Sequence, residues 1–102
     1  MALIDHHRAA AEVGLVMPLT TVLIYGNPKG GTPLMLAAPD FALELPLRVL
    51  VRQDEDMKVY VVFNPAETLE GKQGLPAGMA ARLAPAEAVI RNALSARRRT
   101  ED

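Results

Sequence analysis

Two runs of alternating side chains in the middle of the chain restrict its fold more than any other feature. Apolar and more polar side chains alternate within residues 47–53, and residues 58–64 show the same period of two. This period places successive side chains on opposite faces of a strand. The short link Gln53-Asp54-Glu55-Asp56-Met57 is polar. The pattern predicts an antiparallel β-hairpin with strands at about 47–53 and 58–64, joined by more than a two-residue turn.

Length and composition limit both the fold and the chemistry. The chain has 102 residues, the size of one domain, so we expect a single domain over 1–102 with a frayed tail at 97–102. Half of the residues are hydrophobic, whereas only 4% are aromatic, so the core must be built mainly from aliphatic side chains. The sequence has no cysteine, which excludes disulfides, thiolate catalysis and iron–sulfur clusters.

Charge and hydropathy argue against two classes of partner. The net charge is −1, whereas general nucleic-acid binders are strongly basic. No apolar run approaches the ~18 residues of a membrane span, and residues 1–8 do not resemble a secretory signal. We therefore expect a soluble cytoplasmic protein that binds neither nucleic acid nor membrane.

The segment Thr20–Met35 combines an apolar strand pattern with a polar, glycine-bearing stretch. Thr20–Tyr25 is rich in β-branched residues and predicts a strand, and the following residues predict a loop at Asn27–Gly31. Thr32 is expected to cap a short helix with Pro33 at its first position. Further helices are predicted at Arg8–Val13, at Phe41–Leu45, from Pro65, and at Pro85–Arg98.

The same glycine-bearing stretch invites a ligand-binding interpretation. Glycines leave backbone N–H groups free to face an anion, and Lys29 adds a positive charge. The candidate ligand-binding residues are Asn27, Lys29, Gly30, Gly31 and Thr32. The Walker spacing of a nucleotide-binding loop is absent, because the lysine precedes the glycine pair. The alternative is a turn between strand and helix whose glycines only satisfy backbone geometry.

The triplet Asp5-His6-His7 is the other group with possible chemistry. His6 and Asp5 are the candidate catalytic residues, as a general base and its orienting carboxylate, and His6 is a weak candidate for metal binding. On a strand, His6 and His7 point to opposite faces, and on a helix they lie about 100° apart, so they do not suit one metal ion. The alternative is a solvated strand end with one histidine hydrogen-bonded to the backbone. We predict no cofactor.

Several short motifs resemble those of the domain-of-unknown-function 302 family. The resemblance runs from about Ile4 to Asn64, and its motifs are Ile4-Asp5-His6, Ala11-Glu12-Val13-Gly14-Leu15, Gly26-Asn27-Pro28, Gly31-Thr32-Pro33-Leu34-Met35 and Leu45-Pro46-Leu47. It implies a small α/β fold, frequent pairing into dimers, and no established reaction. His6 falls on the family's Asp-His pair.

The chain departs from the family's pattern at its beginning. Family members usually carry an additional strand and helix before the Ile-Asp-His segment, whereas here only three residues precede Ile4. Without those elements, a sheet edge and an apolar face are left open to water. We expect a second copy of the chain to cover them, in a homodimer or higher oligomer. The alternatives are that the predicted helix Pro85–Arg98 covers the face, or that Met1 is not the natural start of the chain.

These observations predict an α/β fold with a single-layer sheet, the 47–53 and 58–64 hairpin, and helices packed on one face. The predicted function is a non-catalytic module that binds a small polar or anionic ligand or a protein partner. One alternative is a histidine- or metal-dependent enzyme that uses His6 and Asp5. A second alternative is a purely structural subunit of a homo-oligomer.

Overall fold

The computed structural model describes the backbone of residues 2–101 and the side chains of residues 2–93. Its helices and strands are β1 Ala2–Asp5, α1 His6–Glu12, β2 Thr20–Tyr25, α2 Pro28–Ala37, β3 Leu47–Gln53, β4 Val59–Phe63 and α3 Ala84–Glu101, with four 3-10 helices at Pro39–Glu44, Ala66–Leu69, Lys72–Gly74 and Met79–Leu83. The residues form two compact units. The sheet unit comprises Met1–Tyr25 and Pro46–Asn64, and the helical unit comprises Gly26–Leu45 and Pro65–Asp102.

The sheet unit is a four-stranded antiparallel sheet in which strand order follows chain order, β1-β2-β3-β4. The predicted hairpin is confirmed, with β3 at Leu47–Gln53 and β4 at Val59–Phe63. The predicted strand at Thr20–Tyr25 is confirmed as β2. Together with the helices, the sheet makes the predicted α/β fold.

Helix α1 begins two residues earlier than the sequence predicts, at His6 rather than Arg8. The side chain of Asp5 caps it, since its Oδ1 accepts the backbone N–H of Arg8 at 2.9 Å. An aspartate at the N-cap satisfies an N–H group that has no partner within the helix. His6 and His7 therefore lie in the first turn of a helix and not on a strand, which corrects the solvated strand end of the sequence analysis.

The hairpin link is ordered by Asp54. Its Oδ1 accepts the backbone N–H of Asp56 at 2.8 Å and of Lys58 at 2.9 Å. These N–H groups, that of Lys58 first, hold the pKa of Asp54 below its ordinary value of 3.8, because they stabilise the carboxylate form. The turn closes at Met57, whose φ of 66° lies in the left-handed region.

The core of the helical unit is mainly aliphatic, as the composition predicts. Leu34 of α2 and Phe41 of the following 3-10 helix are fully buried. The other buried hydrophobic residues of this unit, all in 3-10 helices or loops, are Ala38, Ala66, Leu69, Leu75, Ala80 and Leu83. Phe41 lies in the 3-10 helix Pro39–Glu44, with Asp40 in its first turn, close to the helix predicted at Phe41–Leu45.

Helix α3 is joined to the rest of its unit by Glu87. The Glu87 carboxylate accepts the backbone N–H of Ala66 at 3.2 Å and the side chain of Arg91, whose Nη2 lies 2.9 Å away. The helix predicted from Pro65 is a 3-10 helix at Ala66–Leu69, and the one predicted from Pro85 is α3, which begins at Ala84. The side chains from residue 94 onward lie outside the described residues, as does Asp102, so the frayed tail at 97–102 stays a prediction.

Replacing Asp54 by alanine is expected to destabilise the protein in a pH-dependent way. Because the pKa of Asp54 is lowered in the folded state, its stabilising effect is present above the unfolded value of 3.8 and is lost as the pH falls through the folded pKa. Urea unfolding of wild type and Asp54→Ala should therefore differ at neutral pH and converge in acid. Asp56→Ala is the matched control; a difference that does not narrow in acid would contradict this account.

Candidate functional site

The start of α2 contains all the predicted ligand-binding residues, but it is a helix and not a loop. Asn27 is the N-cap, and its Oδ1 accepts the backbone N–H of Lys29 at 2.9 Å. Pro28 occupies the first helical position, where its missing N–H has no cost. The predicted loop at Asn27–Gly31 is therefore wrong. Asn-Pro at 27–28 is as good a helix start as Thr-Pro at 32–33, and the structure uses the earlier one.

The N–H groups at this helix start already have partners. Gly30 and Gly31 both donate to the backbone oxygen of Asn27, each at 3.0 Å, and Lys29 donates to its side chain. An anion that displaces the Asn27 side chain meets the N–H of Lys29, whereas the N–H groups of Gly30 and Gly31 stay bonded to the Asn27 backbone oxygen. Thr32 lies further along, in the helix, and is exposed, so it does not cap α2.

Gly30 has a packing role that the sequence does not reveal. A Cβ atom at Gly30 would lie 3.2 Å from the backbone oxygen of Arg82, tighter than ordinary van der Waals contact. Glycine therefore permits α2 to approach the 3-10 helix Met79–Leu83 within the helical unit. A Cβ atom at Gly31 would meet only side-chain atoms, the nearest being Leu45 Cδ1 at 3.5 Å. A Cβ atom at Gly30 therefore needs the Arg82 backbone to move by a few tenths of an ångström, whereas a Cβ atom at Gly31 makes only ordinary contacts.

The predicted catalytic pair is placed in the sheet unit, at the junction of β1 and α1. The Asp5 carboxylate is engaged with the backbone N–H of Arg8. His6 is exposed, whereas His7 is half-buried and its Nδ1 bonds to the backbone oxygen of Met17. His7 thereby attaches α1 to the segment that leads into β2. In the part of the chain that the structure describes, no group of three His, Asp or Glu side chains is placed to hold a metal ion.

Three glutamates of the helical unit line a groove of about 410 Å³. The residues around it are Ala66, Glu67, Glu70, Ala80, Ala81, Ala84, Glu87 and Arg91. Two of the three glutamates have structural partners, because Glu70 accepts the backbone N–H of Gly78 at 2.7 Å and Glu87 bonds to Ala66 and Arg91. The hydrogen bonds of Glu70 and Glu87 therefore have a structural role within the helical unit.

The sheet unit has one face on which apolar side chains are exposed or half-buried. Cross-strand partners share a face, and the register defines one face, called the open face from here on, on which no residue is buried. Its ten residues are Ala2, Ile4, Thr20, Val22, Ile24, Arg48, Leu50, Arg52, Tyr60 and Val62. The opposite face contains the buried residues Leu47 and Val49.

One continuous row of aliphatic side chains crosses the open face. Ile4, Val22, Leu50 and Val62 are successive partners across all four strands. Ile4 is 42% exposed and Val62 is 47% exposed, while Val22 and Leu50 are half-buried. Side chains of this kind normally lie in a core or at an interface.

The two charged residues of the open face are both positive. Arg48 and Arg52 lie on either side of Leu50 in β3 and are exposed. The guanidinium of Arg52 stacks on Tyr60, with its carbon 4.7 Å from the ring centroid, so it is held on this face. None of the ten residues is acidic. A partner for this face therefore needs an apolar centre with carboxylates beside it.

Sequence reasoning missed the open face, although its signal is present. In a sheet with one solvated face, the outward residues of each strand should be polar. Here the outward set of β3 includes Leu50, and that of β4 includes Val62. In β3 and in β4, apolar residues occupy most of the odd and some of the even positions. This pattern indicates a sheet with apolar side chains on both faces.

Comparison with known proteins gives a family match and three similar relatives. The model of the family described as "Domain of unknown function DUF302" matches residues 1–96. Proteins named fluoride-specific ion channel FluC 1 from Brucella suis biovar 1 and from Brucella abortus biovar 1, and FluC 2 from Brucella melitensis biotype 1, are each 38% identical over 72 residues. That stretch is 71% of this chain but only 28% of the Brucella suis protein and 27% of the other two.

The chain thus spans about a quarter of the length of these relatives. Within the described residues of this protein, none of the helices has the length and apolar composition that crossing a membrane requires.

Alanine substitutions at Gly30 and Gly31 should have different effects on stability. Alanine in a helix interior is normally favoured over glycine by about 0.5–1 kcal/mol. We expect Gly31→Ala to gain this amount, whereas Gly30→Ala forces its methyl group against the Arg82 oxygen and loses the gain. Chemical denaturation of the two variants measures the difference, expected at roughly 1 kcal/mol. Equal stabilities would show that Gly30 has no packing role.

Proposed function

The chain belongs to the DUF302 family, and from that premise we propose that it is a non-catalytic binding module whose open face docks a protein partner. The observation that carries this proposal is the aliphatic row Ile4–Val22–Leu50–Val62, which crosses the whole sheet with none of its four side chains buried. Fully burying a side chain of this size stabilises a complex by about 1.5–3 kcal/mol before ordering costs.

The charge of the open face favours a partner of different composition over a second copy placed face to face. A two-fold axis through the centre of this face brings Arg48 and Arg52 of one copy against arginines of the other. Like charges brought together at an interface oppose binding. A partner with an apolar patch and flanking carboxylates instead pairs with both arginines and covers the row.

The partner that we propose is the membrane-embedded part of an ion channel. In the Brucella suis relative, a stretch similar to this chain belongs to the same polypeptide as the rest of a protein named fluoride-specific ion channel. Residence in one polypeptide raises the effective concentration of two partners. A separate chain can reach the same position on a channel by binding to it. We propose that this chain binds at the cytoplasmic side of such a channel.

The enzymatic alternative has less support from the contacts of its residues. A general base needs its orienting carboxylate to be available, whereas the Asp5 carboxylate caps α1 through the Arg8 N–H. His6 as a base or metal ligand remains a hypothesis without a second group. The purely structural alternative assigns no use to the arginines of the open face.

Replacing Leu50 by glutamate should weaken partner binding. The substitution puts a charge in the centre of the aliphatic row, between two strands that each contribute an apolar neighbour. The probe is the Brucella suis channel lacking its 72 matched residues, purified in detergent and immobilised for biolayer interferometry. We expect the affinity of Leu50→Glu to fall at least about tenfold, which corresponds to ~1.4 kcal/mol.

The matched control is Leu43→Glu, because Leu43 is 76% exposed in the helical unit and lies outside the open face. This variant should bind like wild type, and circular dichroism should show the same fold in all three proteins. Fluoride conduction by the shortened channel establishes that the probe is folded. Lack of wild-type binding to a conducting channel would exclude this partner, and equal binding by Leu50→Glu would exclude the open face.

A small anion at the start of α2 is a second candidate ligand. Lys29 is exposed in the first turn of a ten-residue helix, at its positive end. The proposed roles are orientation of the anion by Asn27, charge neutralisation by Lys29, and contact with the anion by Gly30, Gly31 and Thr32. This site is independent of the open face.

Replacing Lys29 by alanine should weaken anion binding. A charge at a helix end contributes ~0.3–1 kcal/mol, so the affinity should fall by up to about fivefold. Titration of fluoride and of inorganic phosphate, followed by amide chemical shifts of residues 29–32, measures the change. Lys58→Ala, an exposed lysine in the hairpin, is the control. Shifts that are unaffected by Lys29→Ala would remove Lys29 from the site.

A further inference from the structure

The two arginines of the open face differ in how firmly they are held. The guanidinium carbon of Arg52 lies 4.7 Å from the centroid of the Tyr60 ring, and the two residues are direct cross-strand partners. Arg48 lies one turn of the pattern earlier in β3, opposite Ile24 of β2. In the part of the chain that the structure describes, the Arg48 side chain has no hydrogen bond, ion pair or ring contact. Arg52 therefore has a fixed position, whereas Arg48 keeps its rotamer freedom.

The Tyr60 ring is itself positioned by the hairpin link. Asp54 is fixed by the backbone N–H groups of Asp56 and Lys58. The N–H of Lys58 lowers the pKa of Asp54 most, and a hydrogen bond from the Tyr60 side chain and the charge of Arg52 lower it further. A series of contacts thus runs from the ordered link through Asp54 and Tyr60 to Arg52.

The stacked guanidinium of Arg52 still has its hydrogen-bond donors free. Stacking uses the face of the group, whereas the N–H donors lie in its plane and point from its edge. The ion pairs and side-chain hydrogen bonds of the described residues do not include Arg52, and its side chain is exposed. The group that fits such an edge is a carboxylate, because its two oxygens accept two parallel N–H bonds.

A recess at the hairpin end of the open face restricts what can approach Arg52. It has a volume of about 380 Å³, and the residues around it are Pro18, Arg52, Gln53, Asp54, Glu55 and Asp56. Arg52 is the one cation of this lining, beside three carboxylates. A single carboxylate can pair with Arg52 there, whereas a surface dense in negative charge, such as an anionic bilayer, is repelled by the link. The recess favours one acidic side chain of a protein.

We propose that Arg52 determines the specificity of the open face by binding one aspartate or glutamate of the partner through two parallel hydrogen bonds. Tyr60 is a positioning residue that acts through Arg52. Arg48 assists the approach of the partner and contributes little to the lifetime of the complex. These roles rest on the proposed function, because they are assigned within the open face.

The fixed position of Arg52 is the physical reason for this division of roles. Ordering a flexible side chain at an interface lowers the affinity by about two- to tenfold. Arg52 has already lost this freedom in the free protein through its contact with Tyr60. An exposed charge without a fixed position mainly raises the association rate, and salt screens it. Removal of Arg52 should therefore speed dissociation, whereas removal of Arg48 should slow association.

Biolayer interferometry with the shortened Brucella suis channel tests these roles. Arg52→Ala should weaken binding at least about tenfold, mainly through faster dissociation, and its matched control Arg48→Ala at most about threefold. Tyr60→Phe keeps the ring and should bind within about twofold of wild type, whereas Tyr60→Leu should lose about two- to tenfold. In the Arg52→Ala background, Tyr60→Leu should cause no further loss, because its effect passes through Arg52.

Nuclear magnetic resonance of the free protein tests the arrangement without the channel. The ring current of Tyr60 should move the side-chain δ protons of Arg52 upfield of those of Arg48. This shift should persist in Tyr60→Phe and vanish in Tyr60→Leu. Equal shifts for the two arginines in wild type would overturn the proposal whatever the partner is. If Tyr60→Leu does not fold, the comparison of Arg52→Ala with Arg48→Ala decides the question.

Cross-linking tests the carboxylate contact directly. A carbodiimide joins a lysine amine to a carboxylate that touches it, with loss of water, and mass spectrometry locates the new amide bond. In the complex of Arg52→Lys with the channel, position 52 should be linked to an aspartate or glutamate of the channel. Arg48→Lys is the control and should give a lower yield. A complex that forms without a link at position 52 would overturn the proposal.

The outcomes separate this proposal from the proposed function. Lack of wild-type binding to the conducting channel would overturn both. Loss of binding in Leu50→Glu together with equal effects of Arg52→Ala and Arg48→Ala would overturn only the role of Arg52 and leave the open face standing. Binding of wild type to phosphatidylglycerol vesicles that is lost in Arg52→Ala would assign Arg52 to lipid and overturn the carboxylate contact.

Discussion

The antiparallel register of the four strands is the constraint on which the rest of the sheet unit depends. Because successive side chains alternate between faces, one register assigns every strand residue to a face. It places Leu47 and Val49 on the face with buried side chains and gathers Ile4, Val22, Leu50 and Val62 into a row on the other. A shift of one residue in any strand would break this row. The open face is therefore a property of the whole sheet and of no single motif.

The open face is proposed to bind its partner through side chains. That partner would therefore be selected by its apolar shape and by the charge of Arg48 and Arg52.

The start of α2 shows why a glycine-bearing stretch is a weak indicator of a ligand site. Glycine suits a phosphate loop because it frees the backbone, and it suits a close helix contact because it lacks a Cβ atom. Gly30 meets the second requirement, against the Arg82 oxygen. Asn27 likewise suits a ligand contact or a helix cap, and here its side chain accepts the Lys29 N–H. Residue types alone do not distinguish these uses. For Gly30, the contact that distinguishes them is with Arg82, which is far along the chain.

Local chemistry made several features predictable from the amino-acid sequence: the hairpin from its period of two, β2 from its β-branched residues, the start of the last helix from Pro85, and the family from its motifs. The start of α2 was predicted wrongly, because Asn27-Pro28 and Thr32-Pro33 are both good helix starts and neighbouring residues do not choose between them. Only the tertiary structure decided the strand order, the close approach of Gly30 to the Arg82 oxygen, and the row on the open face. Each of these depends on pairs of residues far apart in the chain, and their distances are set by packing and by the register of the strands.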